Sequence, residues 1–161
     1  MHAPAAHDTK TESFDLRKRT DFIVVHCADT PAKMDIGASE IRKWHQERGW
    51  KDIGYHFVIR RNGEIEKGRH HAQLGAHVLG YNAVSLGICM VGRETNYTDM
   101  QWNTLSYLVR LAREHYKGAK VVGHCDLEPV KKRFCPGFDA KAWWAREVVS
   151  DIAGRSRGIA A

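Results

Sequence analysis

The sequence has no long apolar run, and nothing in it approaches the ~20 consecutive apolar residues that a bilayer-spanning helix needs. Its start, Met1 to Lys10, lacks the apolar core of a secretory signal, so the expected location is the cytoplasm until something else releases the protein. Proline is scarce, at 4 residues, and glycine is ordinary, at 14, which excludes collagenous and low-complexity chains. The four cysteines, Cys27, Cys89, Cys125 and Cys135, form no Cys-x-x-Cys pair and are too sparse to staple a miniprotein, so reduced thiols are expected. There is no internal repeat and no linker-like stretch, and 161 residues suit one domain rather than two.

What is present is an ordinary globular composition with a basic bias. Lys and Arg number 25 against 19 Asp and Glu, and the net charge of +6 favours an anionic partner without choosing which. Ten histidines is a high count, and two of them, His26 and His124, close strongly apolar runs. An imidazole in such a place must be a ligand, a base or hydrogen-bonded.

Residues 1 to 19 have no hydrophobic period and read as a flexible leader. Phe22 to Val25 is a β-branched run typical of a buried strand, and it delivers His26 at its C-terminal end. Ser39 is positioned to cap a helix over residues 40–48 that Gly49 stops. A strand over Tyr55 to Arg61 meets Asn62-Gly63 and then Glu64-Ile65-Glu66, which signals a hairpin. Residues 68–83 form a long irregular segment, and Leu86 to Val91 returns to strand. Thr98 with Gln101 makes a capping box for a helix ending before Gly118, and Lys120 to Gly123 is a short strand that hands over to His124. A polar loop over 125–137 follows, then a last helix capped by Asp139, with a tail over 151–161 that frays from Gly154. The order β, α, β, β, β, α, β, α implies an α/β single domain, a central mixed sheet with helices packed on it.

His26, His124 and Cys135 are the set with metal-ligating chemistry. Two imidazoles and a thiolate suit zinc, and three protein ligands leave a fourth tetrahedral position for water. Spacing alone is weak support, since there is no His-Glu-x-x-His and 98 residues separate the histidines. Read without any further pattern, both could be satisfied core histidines.

Several spaced blocks resemble one family. Ile23-Val24-Val25-His26-Cys27, Ile41-Arg42-Lys43-Trp44-His45, Gly49-Trp50 and Gly54-Tyr55-His56-Phe57 are similar to the N-terminal half of the type 2 N-acetylmuramoyl-L-alanine amidases of the phage lysozyme kind. Gly75-Ala76-His77, Gly80-Tyr81-Asn82, Ser85-Leu86-Gly87-Ile88, Gly123-His124, Cys135-Pro136-Gly137-Phe138-Asp139 and Trp143-Trp144 continue the resemblance to about residue 148.

The resemblance implies a zinc amidase domain over residues 20–150, with the fold shared by peptidoglycan recognition proteins. It implies one catalytic Zn2+ held by His26, His124 and Cys135, with Tyr55 as an active-site tyrosine. The reaction implied is hydrolysis of the amide joining N-acetylmuramic acid to L-alanine in peptidoglycan, by an endolysin held in the host bacterial cytoplasm until it is released to the periplasm and cell wall. A monomer is expected, with no membrane insertion and no stable nucleic-acid complex.

One position departs from the family. Phage enzymes place a lysine two residues before the zinc cysteine, where this chain has Arg133, with Lys132 and Lys131 preceding it. If the loop is extended, alternation puts Arg133 beside Cys135 and turns Lys132 away; a one-residue bulge would bring Lys132 inward. Both are retained as catalytic candidates, and His77 and Asn82 as candidate substrate contacts or loop braces. Cys27 and Cys125 should point to the opposite sides of their strands as small buried hydrophobes, and His45 should be core. Two other functions compete: a peptidoglycan-binding module that has lost catalysis, and a nucleic-acid or polymerase-binding regulator. The second has no recognisable basic helix or aromatic RNA-binding motif behind it.

Overall fold

The computed structural model describes residues 15–159. Five strands make one sheet: β1 (Phe22–Cys27), β2 (Phe57–Ile59), β3 (Ile65–Lys67), β4 (Ser85–Met90) and β5 (Lys120–Gly123), in the order β3-β2-β4-β1-β5. The sheet is mixed, since β1 runs parallel to both β4 and β5 and β2 runs parallel to β4, while only the β2–β3 hairpin is antiparallel. The hairpin turns where Asn62-Gly63 predicts it, with Gly63 at φ 86°, a left-handed value that glycine adopts without strain.

Parallel strands are buried on both faces, and the alternation along β1 shows how. Ile23 and Val25 join Leu86, Ile88, Met90 and Val121 beneath α2 (Asp99–His115), whose Leu105 and Val109 face them, and beneath Trp143 of α4 (Ala140–Ile159). Val24 faces the other way and packs with Val78 and Val122. A third cluster joins Ile41 of α1 (Ala38–Glu47) to Ile53, Val58 and Cys89. Each fully buried aliphatic side chain contributes roughly 1.5–3 kcal/mol of burial.

The capping box on α2 forms as the sequence predicts. Thr98 Oγ1 accepts the Gln101 N–H at 3.1 Å, and Gln101 Oε1 accepts the Thr98 N–H at 3.0 Å. Gln101 is fully buried, and its amide donates to the Val91 carbonyl at 2.7 Å, pinning the helix start to the end of β4.

Several boundaries differ from the sequence reading, β2 being shorter than the expected Tyr55 to Arg61 and β4 one residue earlier than Leu86 to Val91. The cap of α1 is Gly37, not Ser39, because the Glu40 carboxylate reaches back to the Gly37 N–H at 2.8 Å. Residues 1–14 of the expected leader lie outside the described residues, but 15–19 are tied down: Leu16 bridges Gln73, and the Arg17 guanidinium donates to the Gln73 carbonyl. The polar loop opens in a short helix, α3 (His124–Leu127), whose start is secured by Asp126 accepting the Gly123 N–H. α4 runs through Gly154 to Ile159 rather than fraying there, with Arg110 of α2 paired to its Glu147 and Asp151.

Candidate metal centre and active site

Because β1 and β5 are parallel neighbours with Val25 beside Gly123, their C-terminal ends deliver His26 and His124 side by side, with ring centroids 4.4 Å apart. Cys135 returns to the same edge from the loop after α3. The Cys125 N–H donates to the Cys135 carbonyl at 2.8 Å, and the Cys27 N–H donates to Cys135 Sγ at 3.3 Å. Gly123 permits this approach, since a Cβ there would stand 2.8 Å from Cδ of Pro136. The donor atoms of His26, His124 and Cys135 lie within 4.8 Å of one another. Small side-chain shifts close three donors so spaced on one ion with bonds of ~2.0–2.3 Å.

The electrostatics of the two imidazoles suit a cation. Burial lowers the proton affinity of His26 well below its ordinary value, and repulsion from His124 and His77 adds to this. Burial also lowers His124, against the pull of Glu128. Both are therefore neutral imidazoles at neutral pH, the form that binds metal. Each has its Nε2 engaged from behind: His26 Nε2 lies 2.8 Å from His77 Nδ1, and His124 Nε2 lies 3.0 Å from Glu128 Oε1. Burial works to raise the Glu128 carboxyl, but hydrogen bonds from His124 and the Leu79 N–H outweigh it and hold the group below its usual value. A hydrogen bond from Cys135 brings the Cys27 thiol down to about 7, while the same contact and burial push Cys135 up.

Two of the donors, His124 and Cys135, line an open cavity of about 550 Å3 together with Tyr55, Cys27, Arg93, Glu94 and Lys132 among others. Tyr55 sits just before β2 with its ring 4.9 Å from that of His26, and burial raises its phenol far above the ordinary value, so it stays a neutral O–H donor.

Several expectations are corrected. Lys132 lines the cavity, and Arg133 instead lays its guanidinium 4.6 Å over the Phe134 ring. The alternation argument fails because the segment is turned, not extended: the Lys132 N–H donates to the Glu128 carbonyl and the Cys135 N–H to the Lys132 carbonyl. His77 and Asn82 are not among the cavity-lining residues. His77 is buried against His26, and Asn82 Oδ1 accepts the N–H groups of His77 and Val78, bracing the loop. Cys27 is half-buried and faces the cavity, because β1 ends at this residue and the Cys135 loop folds over it. His45 is buried as expected, accepting the Gly54 N–H at 2.9 Å. Glu128, Arg93 and Glu94 were not singled out from the sequence. For Glu128 a signal existed in its spacing four residues after His124, which a helix makes adjacent.

Two strand-end imidazoles and a loop thiol, gathered beside an open cavity at the C-terminal edge of an α/β sheet, form a group that could hold a metal ion. The sequence pattern of the N-acetylmuramoyl-L-alanine amidases matches residues 16–138, and the chain belongs to that family. It is 44% identical over 147 residues to an endolysin of Klebsiella phage KP32, covering 86% of this chain and 95% of that protein. Among solved structures it is similar to an endolysin N-acetylmuramoyl-L-alanine amidase of Clostridium intestinale, with a TM-score of 0.67, 31% identity and coverage of 75% and 77% of the two chains. The Drosophila peptidoglycan recognition protein LB superposes with a TM-score of 0.70 at 26% identity, over 81% and 83% of the two chains.

Proposed function

We propose that this amidase acts as a phage endolysin, hydrolysing the bond between N-acetylmuramic acid and the L-alanine of the peptidoglycan stem peptide with one zinc ion held by His26, His124 and Cys135. The observation that carries the metal assignment is the convergence of those three donors, 4.8 Å apart at most, with His124 and Cys135 lining the cavity and His26 buried beside them. The donor set fits the ion: two neutral imidazoles and a sulfur are borderline-soft ligands, and three of them leave a fourth position open toward the cavity. Bound there, zinc supplies Lewis acidity, polarising a carbonyl and lowering the pKa of water toward ~7.

The chain's own residues account for the rest. Water adds to the amide carbon, charge develops on the carbonyl oxygen, and the C–N bond then breaks as both protons of the water end on the departing nitrogen, leaving a lactyl carboxylate and the ammonium group of alanine. The Tyr55 O–H, kept protonated by burial, donates to the oxygen on which charge develops. Lys132, on the cavity wall, adds positive charge beside that oxygen and holds a proton for the departing nitrogen. The stem peptide carries carboxylates, and the basic residues Arg93 and Lys131 on the same wall suit an anionic substrate.

The test is turbidity loss of purified cell walls with native protein, with protein stripped by chelator and restored with zinc, and with His124→Ala. Lysis that is lost on stripping and returns with zinc is the expected result. Lysis unaffected by stripping overturns the zinc mechanism, and walls that are bound but never cut would favour a binding module.

A further inference from the structure

We propose that His77 and Glu128 are positioning residues that fix both ligand imidazoles as Nε2–H tautomers, so that His26 and His124 each present a bare Nδ1 to the cation. The inference rests on the zinc reading above and deepens it.

On the His26 side the protons can be followed link by link. Ser85 Oγ lies 2.7 Å from the Tyr81 carbonyl and 3.3 Å from His77 Nε2. A carbonyl only accepts, so the hydroxyl proton goes to the shorter contact and the hydroxyl oxygen accepts from His77 Nε2–H. With its proton on Nε2, His77 offers a lone pair at Nδ1, and the 2.8 Å contact is completed by His26 Nε2–H donating to it. His26 Nδ1 is then free of hydrogen. On the His124 side one link suffices: Glu128 Oε1, at 3.0 Å, is a carboxylate oxygen and takes the Nε2 proton.

One stretch of loop serves both ligands. His77 backs His26 directly, and two residues on, the Leu79 N–H donates to Glu128 Oε1 at 2.8 Å, orienting the carboxylate that backs His124. The sheet makes room for this arrangement. A Cβ on Gly87 of β4 would lie 2.7 Å from Cγ of His77, and one on Gly75 would lie 2.5 Å from its Cδ2, so two missing side chains leave the space that the ring fills. A ring kept only for packing would not need its two nitrogens engaged in sequence between a ligand and a directed hydroxyl.

The experiment combines long-range 15N–1H correlation of the imidazoles in metal-free full-length protein with zinc affinity from competition against a chromophoric chelator. Wild type is expected to show Nε2–H at His26 and His124. Glu128→Ala should mix the tautomers of His124 alone and weaken zinc by ~10–100-fold, and Glu128→Gln, which keeps an acceptor oxygen, should restore the tautomer and recover part of the affinity. Gly87→Ala, which displaces His77 without removing it, should disturb His26 alone. A proton on Nδ1 of either ligand in wild type overturns the proposal, whatever the variants do. Folded Glu128→Ala and His77→Ala proteins that bind zinc within about 3-fold of wild type overturn it as well, since that is well inside the outer-partner range. Wild-type protein with the assigned tautomers but no zinc affinity would instead overturn the zinc reading.

Discussion

The histidine cluster behind the cavity is buried and hydrogen-bonded, whereas the loop that carries Lys132 is exposed and held by little. His26 and His77 are 1% and 7% exposed, and their nitrogens lie in a chain that ends on a backbone carbonyl. Along that loop, Val130 is 89% and Phe134 69% exposed, and the segment is shaped by two backbone turns and the contacts of Cys135. Buried hydrogen bonds in a low dielectric fix orientation, while exposed contacts leave a surface adjustable. The difference teaches that the chain fixes its donor atoms rigidly and meets its polymeric substrate with a pliable edge.

Five experiments break or sharpen that contrast, in descending order of effect. His124→Ala should lower wall lysis by on the order of 10^3-fold or more and leave dialysed protein without zinc by elemental analysis. Tyr55→Phe should cost ~10^2–10^3-fold in kcat with zinc content unchanged, since the substitution removes only the hydroxyl proposed as oxyanion donor. Lys132→Ala should cost on the order of 10^2-fold in kcat, read by single-turnover cleavage of a soluble muramoyl peptide.

The fourth concerns His56. Burial, with Arg17 and then Arg69 and His71 nearby, lowers its pKa to about 3, and its Nδ1 accepts the Gly87 N–H, a bond that protonation would break. The unfolded chain then binds the extra proton first, so stability falls as pH drops through ~6.5, by about 2 kcal/mol between pH 8 and pH 5 from this group. Urea unfolding at both pH values should show that loss in wild type and a smaller one in His56→Gln. Smallest of all, Arg133→Ala and Val130→Ser should each change stability by no more than about 0.5 kcal/mol in the same urea assay, because both residues are exposed.

Much of this was legible in the sequence. The apolar run before His26, the Asn62-Gly63 turn and the Thr98/Gln101 box each state a local rule that the fold obeys, and the spaced blocks made the amidase family recognisable. What stayed hidden depends on through-space partners or on one local conformation. His77 reads as a substrate contact or a loop brace because nothing in the chain announces that His26, 51 residues earlier, lies behind a strand left bare by Gly87. Glu128 went unnoticed because its segment reads as a loop, where a spacing of four means nothing; once His124–Leu127 is helical, the two side chains meet. The period-two rule that puts Arg133 beside Cys135 holds only for extended chain, and the turn at Lys132 cancels it.

The account stands most directly on the coordination shell itself. X-ray absorption at the zinc edge of the reconstituted full-length protein should show one sulfur at ~2.3 Å and three nitrogen or oxygen neighbours at ~2.0–2.1 Å, two of them imidazole. A shell without sulfur, or one with two sulfurs that brings in Cys27 beside Cys135, would contradict it.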